Sequence, residues 1–135
     1  MAPKSPKDAV GQLVKALNSG NLDAAVSLYE ATAVLVAQPG KIARGTTALR
    51  DALSAFIALK PTLVARREQI IEAGDIALYA SDWILKGTDP TGKPLEMRGQ
   101  SSDVLRRRSD GSWLIAVDNP WGAAILDMLN SSDDR

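Results

Sequence analysis

The hydrophobic spacing of this chain changes at Pro61, and this change constrains the fold more than any other sequence feature. Before Pro61, apolar residues recur three and four positions apart, as they do on one face of an α-helix. After Pro61, four β-prone runs, 62–72, 76–86, 94–107 and 112–118, are separated by short turn sequences. Because short turns join strands that pair antiparallel, these runs predict an antiparallel sheet that follows a helical region.

Three helices are expected before Pro61. The first begins at Ser5-Pro6 and ends at Asn18-Ser19-Gly20, since these sequences are typical of helix caps. Asn21 caps a second helix, which carries Tyr29 on its apolar stripe, and Gly45 opens the third. A short strand over 33–38 is expected between the second and third helices, ended by Pro39-Gly40. Residues 122–130 predict one or two further helical turns, and the polar end, 131–135, is expected to fray.

This element order predicts one α+β domain over residues 1–135, with a core from about 5 to 130. A chain of 135 residues can bury a single core, and three N-terminal helices would pack on one face of a curved antiparallel sheet. Along 76–85, neither alternating face is polar throughout. A strand with one solvated face would show a polar side, so both faces are expected to be covered. We therefore expect a homodimer packed sheet to sheet.

Composition excludes several classes of function. Sixteen basic and sixteen acidic residues give a formal charge of zero, which argues against nucleic acid and anionic membranes as partners. The absence of Cys and His removes thiolate and imidazole nucleophiles and the metal sites built from them, so any acid–base chemistry must use Asp, Glu, Tyr, Lys or water. We expect no cofactor and no metal. No run approaches the roughly 20 apolar residues of a membrane helix, and no secretion signal is visible, so a cytoplasmic protein is expected.

A family resemblance is carried by two stretches, ALNSGNLDAAVSLYEATAVLVAQPGKIARGTTALRDAL and YASDWILKGTDPTGKPLEMRGQSSDVLRRRSDGSWLIAVDNPWG. Their most specific points are the N-S-G-N-L-D hinge, the Arg44-Gly45 pair and the S-D-G-S-W turn. With these features, residues 8–122 resemble the SnoaL-like, ketosteroid-isomerase-like branch of the nuclear transport factor 2-like superfamily. The resemblance implies a cone-shaped half-barrel in which a bent sheet, antiparallel or mixed, wraps the helices and encloses a pocket. Members include isomerases, cyclases, dehydratases, epoxide hydrolases and proteins that only bind, so the fold does not select the function.

Two chemistries of the family can be compared with this sequence. Isomerase members use a carboxylate base, a tyrosine and a protonated acid, and the corresponding positions here are Gln38, Leu13 and Asp103. Only Asp103 is retained, which argues against ketosteroid isomerase activity. Epoxide-hydrolase members need two carboxylates flanking an arginine. Arg98, Asp103 and Asp118 offer these residue types, but Arg98 and Asp103 are an odd number of positions apart and face opposite sides of a regular strand.

The candidate pocket residues follow from the same frame. Asp103 is the candidate catalytic acid, since an apolar pocket would raise its pKa; the alternative is a carboxylate paired with an arginine. The candidate ligand-binding residues are Trp83, Tyr79, Asn119, Trp121, Gln38, Ser101 and Tyr29. Core packing would explain the aromatic residues almost equally well, and turn chemistry would explain Asn119. In this frame Asn119 and Trp121 lie at the pocket mouth and Asp118 points the other way.

Two functional hypotheses remain open. The first is a homodimer that binds a small, largely apolar organic molecule in its pocket, with cofactor-independent catalysis of the isomerase, dehydratase or cyclase type. The second is a non-catalytic dimerisation or association module with a packed cavity. In that case the outer face of the sheet, with Ser102, Val104 and Arg106, would be the working surface.

Overall fold

The computed structural model of this chain describes residues 2–129. Residues 130–135, which include the polar end of the chain, lie outside the described part. The elements in chain order are α1 (Pro6–Ser19), α2 (Leu22–Val26), β1 (Tyr29–Gln38), β2 (Lys41–Arg44), α3 (Gly45–Ala58), β3 (Thr62–Ala73), β4 (Ile76–Thr88), β5 (Pro94–Arg107), β6 (Trp113–Asp118) and a 3₁₀ helix (Gly122–Leu129). The predicted α+β fold, with helices packed on a curved sheet, is confirmed. No helix among residues 2–129 is long and apolar enough to cross a membrane.

The six strands form one open sheet in the order β2-β1-β6-β5-β4-β3. Neighbouring strands are antiparallel except β1 and β6, which run parallel, so the sheet is mixed. The parallel pair places Leu35 of β1 opposite Asp118 of β6. The carboxyl end of β6 therefore lies deep in the sheet, beside the middle of β1, and its last side chains can reach the core.

The first helix is fixed at both ends by its own sequence. The Ser5 hydroxyl accepts a hydrogen bond from the Asp8 N–H at 3.0 Å, and Gly20 ends the helix with a φ of 73°. Near this end, the Asn18 side chain pairs with both backbone groups of Leu63 on β3, at 2.8 and 3.1 Å. These bonds hold α1 against the first residues of β3.

The structure corrects the predictions for the region between α1 and α3. The second helix has only five residues, and Tyr29 begins β1 instead of lying on that helix. Tyr29 is spaced three and four residues from Val26 and Ala25, which fits a helical face, but it pairs with Ile115 of β6 in the sheet. The first strand is consequently four residues longer than predicted. A second short strand, β2, was not predicted and folds back on β1 after Pro39-Gly40.

The core lies between the helices and the inner face of the sheet. Its most deeply buried large side chains are Tyr79, Leu35, Leu49, Leu53 and Leu105, from three strands and α3. The side chains of β4 that were predicted to face inward, Tyr79 and Trp83, do so. The inner face of the sheet is thus covered by the helices, as the sequence predicted.

Trp83 lies across the neighbouring strand at Gly99, its partner in the β4–β5 register. A Cβ atom at Gly99 would lie 2.6 Å from the Trp83 ring and 3.0 Å from the Pro120 carbonyl oxygen. The indole N–H of Trp83 donates to that carbonyl at 2.7 Å. The missing side chain of Gly99 therefore makes room for the indole and for the chain that follows β6.

We expect Gly99→Ala to lower the free energy of unfolding by about 1–3 kcal/mol, the usual cost of overpacking a filled site. Urea unfolding followed by tryptophan fluorescence measures this change. Gly11→Ala is the matched control, because a Cβ at that helical position meets nothing within 4 Å and should stabilise the protein by roughly 0.5–1 kcal/mol. Equal stability of the two variants would contradict the close packing of Trp83 on Gly99.

Candidate functional site

A cavity of about 90 Å³ lies between α1, α3 and the inner face of the sheet. Its walls are largely apolar and aromatic: Val10, Leu13, Val14, Leu17, Leu35, Leu53, Phe56, Pro61, Leu63, Ala65, Trp83, Leu85 and Pro120. Six side chains with polar atoms complete the lining: Tyr29, Tyr79, Ser81, Ser101, Asp103 and Asp118. The cavity is thus an apolar space with its polar groups gathered on the strands.

Two of these polar side chains are carboxyl groups that lie side by side. Asp103 on β5 and Asp118 at the end of β6 are within hydrogen-bonding reach of each other, and each residue is 9% exposed. The backbone N–H of Asn119 donates to Asp103 Oδ1 at 2.7 Å, and the Tyr29 hydroxyl donates to Asp118 Oδ2 at 2.5 Å. The sheet therefore gives each carboxyl group a hydrogen-bond donor besides its neighbour.

A β-bulge explains why Asp118 faces the cavity. Along β6, Ile115 pairs with Leu105 and Val117 pairs with Val104, so Ala116 is an extra residue without a partner. This insertion reverses the alternation of the last residues and turns Asp118 inward, beside Asp103. The prediction that Asp118 points away from the pocket is wrong, because it assumed regular alternation.

Burial raises the pKa values of both carboxyl groups, since an apolar surrounding disfavours the ionised form. The neighbouring charge of Asp118 raises the pKa of Asp103 further, while hydrogen bonds from Tyr29 and Asp103 favour the ionised form of Asp118. These opposing effects favour the proton of the pair on Asp103, from which it would be donated to Asp118. Burial and the nearby Asp118 also raise the pKa of Tyr29, so its hydroxyl remains a donor.

The remaining polar groups of the cavity make hydrogen bonds with one another or with Glu68, an exposed residue of β3. The hydroxyl oxygens of Ser81 and Ser101 lie 2.6 Å apart, across the β4–β5 pair. The Tyr79 hydroxyl donates to the Glu68 carboxylate, and burial raises the pKa of Tyr79. Polar contacts thus extend from the exposed Glu68 to the centre of the sheet.

The other candidate residues lie outside this cavity. Trp121 packs edge-on against Trp83, with ring centroids 5.4 Å apart, and its indole N–H donates to the carbonyl oxygens of Val36 and Ala37 at 3.1 Å each. Trp121 and Gln38 line a second, open hollow of about 690 Å³ between the β1–β2 hairpin and α3. Phe56 of α3 lines both spaces, whereas Trp83 lines only the cavity.

Asn119 has a role in the turn after β6. Its side-chain amide donates to the Gly122 carbonyl at 3.1 Å, and its side-chain oxygen accepts the Trp121 N–H at 3.2 Å. The structure therefore gathers Tyr29, Tyr79, Trp83, Ser101 and Asp103 around the cavity, adds Asp118, and places Asn119, Trp121 and Gln38 elsewhere. Among residues 2–129, no three His, Cys, Asp or Glu side chains are grouped so as to hold a metal ion.

Comparisons with known proteins identify the fold. A family model described as a SnoaL-like domain matches residues 10–115. The chain is similar to the structure of a candidate ketosteroid isomerase from Shewanella frigidimarina, with 26% identity, a TM-score of 0.72, and coverage of 82% of this chain and 90% of the other. No curated protein matches the sequence.

Two further solved structures share the fold at lower identity. One is a candidate calcium/calmodulin dependent protein kinase II association domain from Xanthomonas campestris, with 23% identity, a TM-score of 0.73, and coverage of 82% of this chain and 79% of the other. The other is SalBIII, an epoxide hydrolase/cyclase-like enzyme in pyran ring formation of the polyether salinomycin, with 20% identity, a TM-score of 0.67, and coverage of 83% and 85%. The predicted family resemblance is confirmed, and proteins of differing function share the fold.

The carboxyl pair predicts a specific pH dependence of stability. The raised pKa of Asp103 means that the folded protein holds a proton that the unfolded chain releases near pH 3.9. The free energy of unfolding contributed by this group is fully present below that pH and is lost as pH rises through the folded-state pKa. In Asp103→Asn the amide keeps both hydrogen bonds without titrating, so we expect the variant to be more stable than wild type at pH 8.

This difference should shrink towards pH 4, as measured by urea unfolding at pH 4, 6 and 8. The exposed Asp51→Asn is the control and should follow wild type at every pH. If Asp103→Asn and wild type instead differed by the same amount at all three pH values, Asp103 would not carry the buried proton.

Proposed function

The chain belongs to the family of SnoaL-like domains, and on that premise we propose that it binds a small, largely apolar organic molecule in the cavity and acts on it by cofactor-independent acid–base catalysis. The observation that carries this proposal is the buried Asp103–Asp118 pair at the edge of an apolar cavity. Apolar walls would bind the body of the ligand, and a few polar groups would orient it.

The pair supplies an acid and a base at one place. Asp103 holds the proton and would donate it to an oxygen of the ligand, while the ionised Asp118 would accept a proton from the ligand or from water. Carboxyl groups that share a site separate their pKa values in this way, which allows both roles at one pH. Isomerisation, dehydration and cyclisation all need such a pair of proton transfers.

Ketosteroid isomerase chemistry is not part of the proposal. Leu13 forms part of the cavity wall and has no proton to give, and Gln38 lies in the open hollow instead of the cavity. Neither replaces the missing tyrosine or the missing base. The structural likeness to a candidate ketosteroid isomerase therefore supports the presence of a pocket. The proposed acid and base are Asp103 and Asp118, and they do not correspond to the full set of isomerase groups.

The remaining candidate residues have supporting roles in this proposal. Tyr79, Trp83, Ser101 and Tyr29 would contact the ligand or hold the carboxyl pair. Trp121 and Asn119 would act as positioning residues, since they hold Trp83 and the turn after β6.

We expect small neutral oxygen compounds such as tert-butanol and butanone to stabilise the protein. At 100 times the dissociation constant, binding adds about 2.7 kcal/mol and raises the melting temperature by roughly 10 °C. Ala65→Leu should abolish the effect because its side chain fills the cavity, whereas Ala55→Leu, which narrows only the open hollow, should preserve it. An equal loss in both variants, or no stabilisation of wild type by any compound, would contradict a ligand cavity.

A compound that binds can then be used to test catalysis. Asp103→Asn keeps the hydrogen bonds of the site but has no proton to donate, so turnover should fall by about 10²–10⁴-fold with little change in binding. Asp51→Asn should retain full turnover. Unchanged turnover in Asp103→Asn would remove Asp103 from the mechanism.

The outer face of the sheet favours a second candidate function, association with a second copy of the chain. Val64, Ile71 and Leu78 are 50%, 57% and 42% exposed on this face, and Ile76 lies beside them. Apolar side chains concentrated on one face are typical of an interface. We propose that this face forms the homodimer predicted from the sequence, either alongside catalysis or as the main function.

Light scattering at micromolar concentration should accordingly give the mass of a dimer. Leu78→Asp should produce a monomer, because a charge would be buried against apolar side chains. The control is Ile42→Asp, an equally exposed apolar residue on β2 at 43% exposure, which should remain dimeric. A monomeric wild-type protein would rule out the interface.

A further inference from the structure

The cavity faces a negative charge that has no cationic partner among residues 2–129. All five ion pairs of the described residues involve other carboxylates, namely Asp23, Asp82, Glu96, Glu30 and Asp75. No Lys or Arg is among the residues that line the cavity. One proton shared by Asp103 and Asp118 leaves one buried negative charge, and a buried charge without a partner is costly.

The walls of the cavity also favour a positively charged ligand. Tyr29, Phe56, Tyr79 and Trp83 contribute four aromatic rings to the lining of the cavity that also contains the carboxyl pair. The faces of aromatic rings attract cations, most strongly where water is excluded. An anionic ligand would instead be repelled by the negative charge of the carboxyl pair.

The volume of the cavity and the position of its polar groups limit the size and shape of such a ligand. A cavity of roughly 150 Å³ accommodates benzene, so about 90 Å³ suits a molecule of about four heavy atoms. Asp103 and Asp118 already accept hydrogen bonds from the Asn119 N–H and the Tyr29 hydroxyl. The polar atoms of the lining lie on the strands, so a single N–H can face the carboxyl pair while methyl groups face the apolar walls, whereas further N–H groups directed at those walls would be left unpaired.

We propose that the preferred ligand class of this cavity is a compact tertiary amine in its protonated form, whose single N–H donates to the Asp103–Asp118 pair and whose methyl groups contact the aromatic walls. This inference rests on the proposed function, because it concerns the same cavity. It adds to that function a preference for a positively charged group over a neutral oxygen group at the carboxyl pair.

The inference implies that binding depends on pH. Protonation of both carboxyl groups removes the negative charge, so amine binding should weaken at low pH and strengthen as the pair ionises. The other titratable groups near the pair are Tyr29 on β1 and Tyr79 on β4, with Glu68 of β3 beside Tyr79. Both tyrosines keep their protons over the relevant range because their pKa values are raised, and α1 and α3 contribute only apolar side chains to the cavity.

Three probes of four or five heavy atoms test the charge. Trimethylamine hydrochloride, tert-butanol and sodium acetate are titrated at pH 5 and pH 8 at equal ionic strength, and binding is followed by methyl NMR shifts. At pH 8, trimethylamine should bind at least about tenfold more tightly than tert-butanol, and acetate should not bind. At pH 5 the preference for the amine should decrease.

A double variant tests the assignment to the carboxyl pair. Either single Asn variant keeps one carboxyl group that can ionise, so both substitutions, Asp103→Asn and Asp118→Asn, are combined. The double variant should bind trimethylamine no more tightly than tert-butanol. The exposed pair Asp51→Asn and Asp127→Asn changes the net charge equally and should keep the amine preference.

The outcomes separate this inference from the proposed function. If tert-butanol binds wild type as tightly as trimethylamine at pH 8, the amine inference is wrong and the proposed cavity for neutral ligands stands. If none of the probes binds, both fail. If the double variant does not fold, the comparison of the three probes at two pH values on wild type still decides the question.

Discussion

Two buried carboxyl groups are stable side by side when a proton lies between them and each has a further hydrogen-bond donor. The centre of the sheet meets this requirement with four groups from three strands and one turn. Asp103 comes from β5, Asp118 from β6, the Tyr29 hydroxyl from β1, and the Asn119 N–H from the turn that follows. The parallel pairing of β1 with β6 is what brings Tyr29 and Asp118 within reach, so the topology of the sheet and the chemistry of the cavity depend on each other.

Trp83 connects this chemistry to the rest of the fold. Its ring lies over Gly99, its N–H donates to the chain after β6, and its edge meets Trp121. Trp121 in turn bonds to the carbonyl oxygens of β1. These contacts join three strands and the terminal turn on one side of the cavity.

The fold could be predicted largely from the sequence because its strands after Pro61 have clear turns and its helix caps have clear signals. The inward direction of Tyr79 and Trp83 followed from the two-residue period of a strand.

Tyr29 was misplaced because its spacing suits a helix as well as a strand, and only the pairing with β6 distinguishes them. Asp118 was missed because no local sequence signal marks the extra residue at Ala116; the bulge is a product of long-range pairing. Asn119 was predicted to bind a ligand, with turn chemistry as the alternative, and the two side-chain hydrogen bonds that it makes are turn contacts.

The pairing of Asn18 with Leu63 also affects the behaviour of the protein at high concentration. β3 is the last strand of an open sheet, and its outward backbone groups could template a strand from another molecule. An asparagine side chain carries the same donor and acceptor as a peptide group, and here it occupies both backbone groups of the residue at which such an addition would begin. The charged side chains of Arg66 and Arg67, at the bulge further along β3, disfavour the pairing of another strand with that part of the edge. The helix that lines the cavity therefore also blocks the addition of another strand at Leu63.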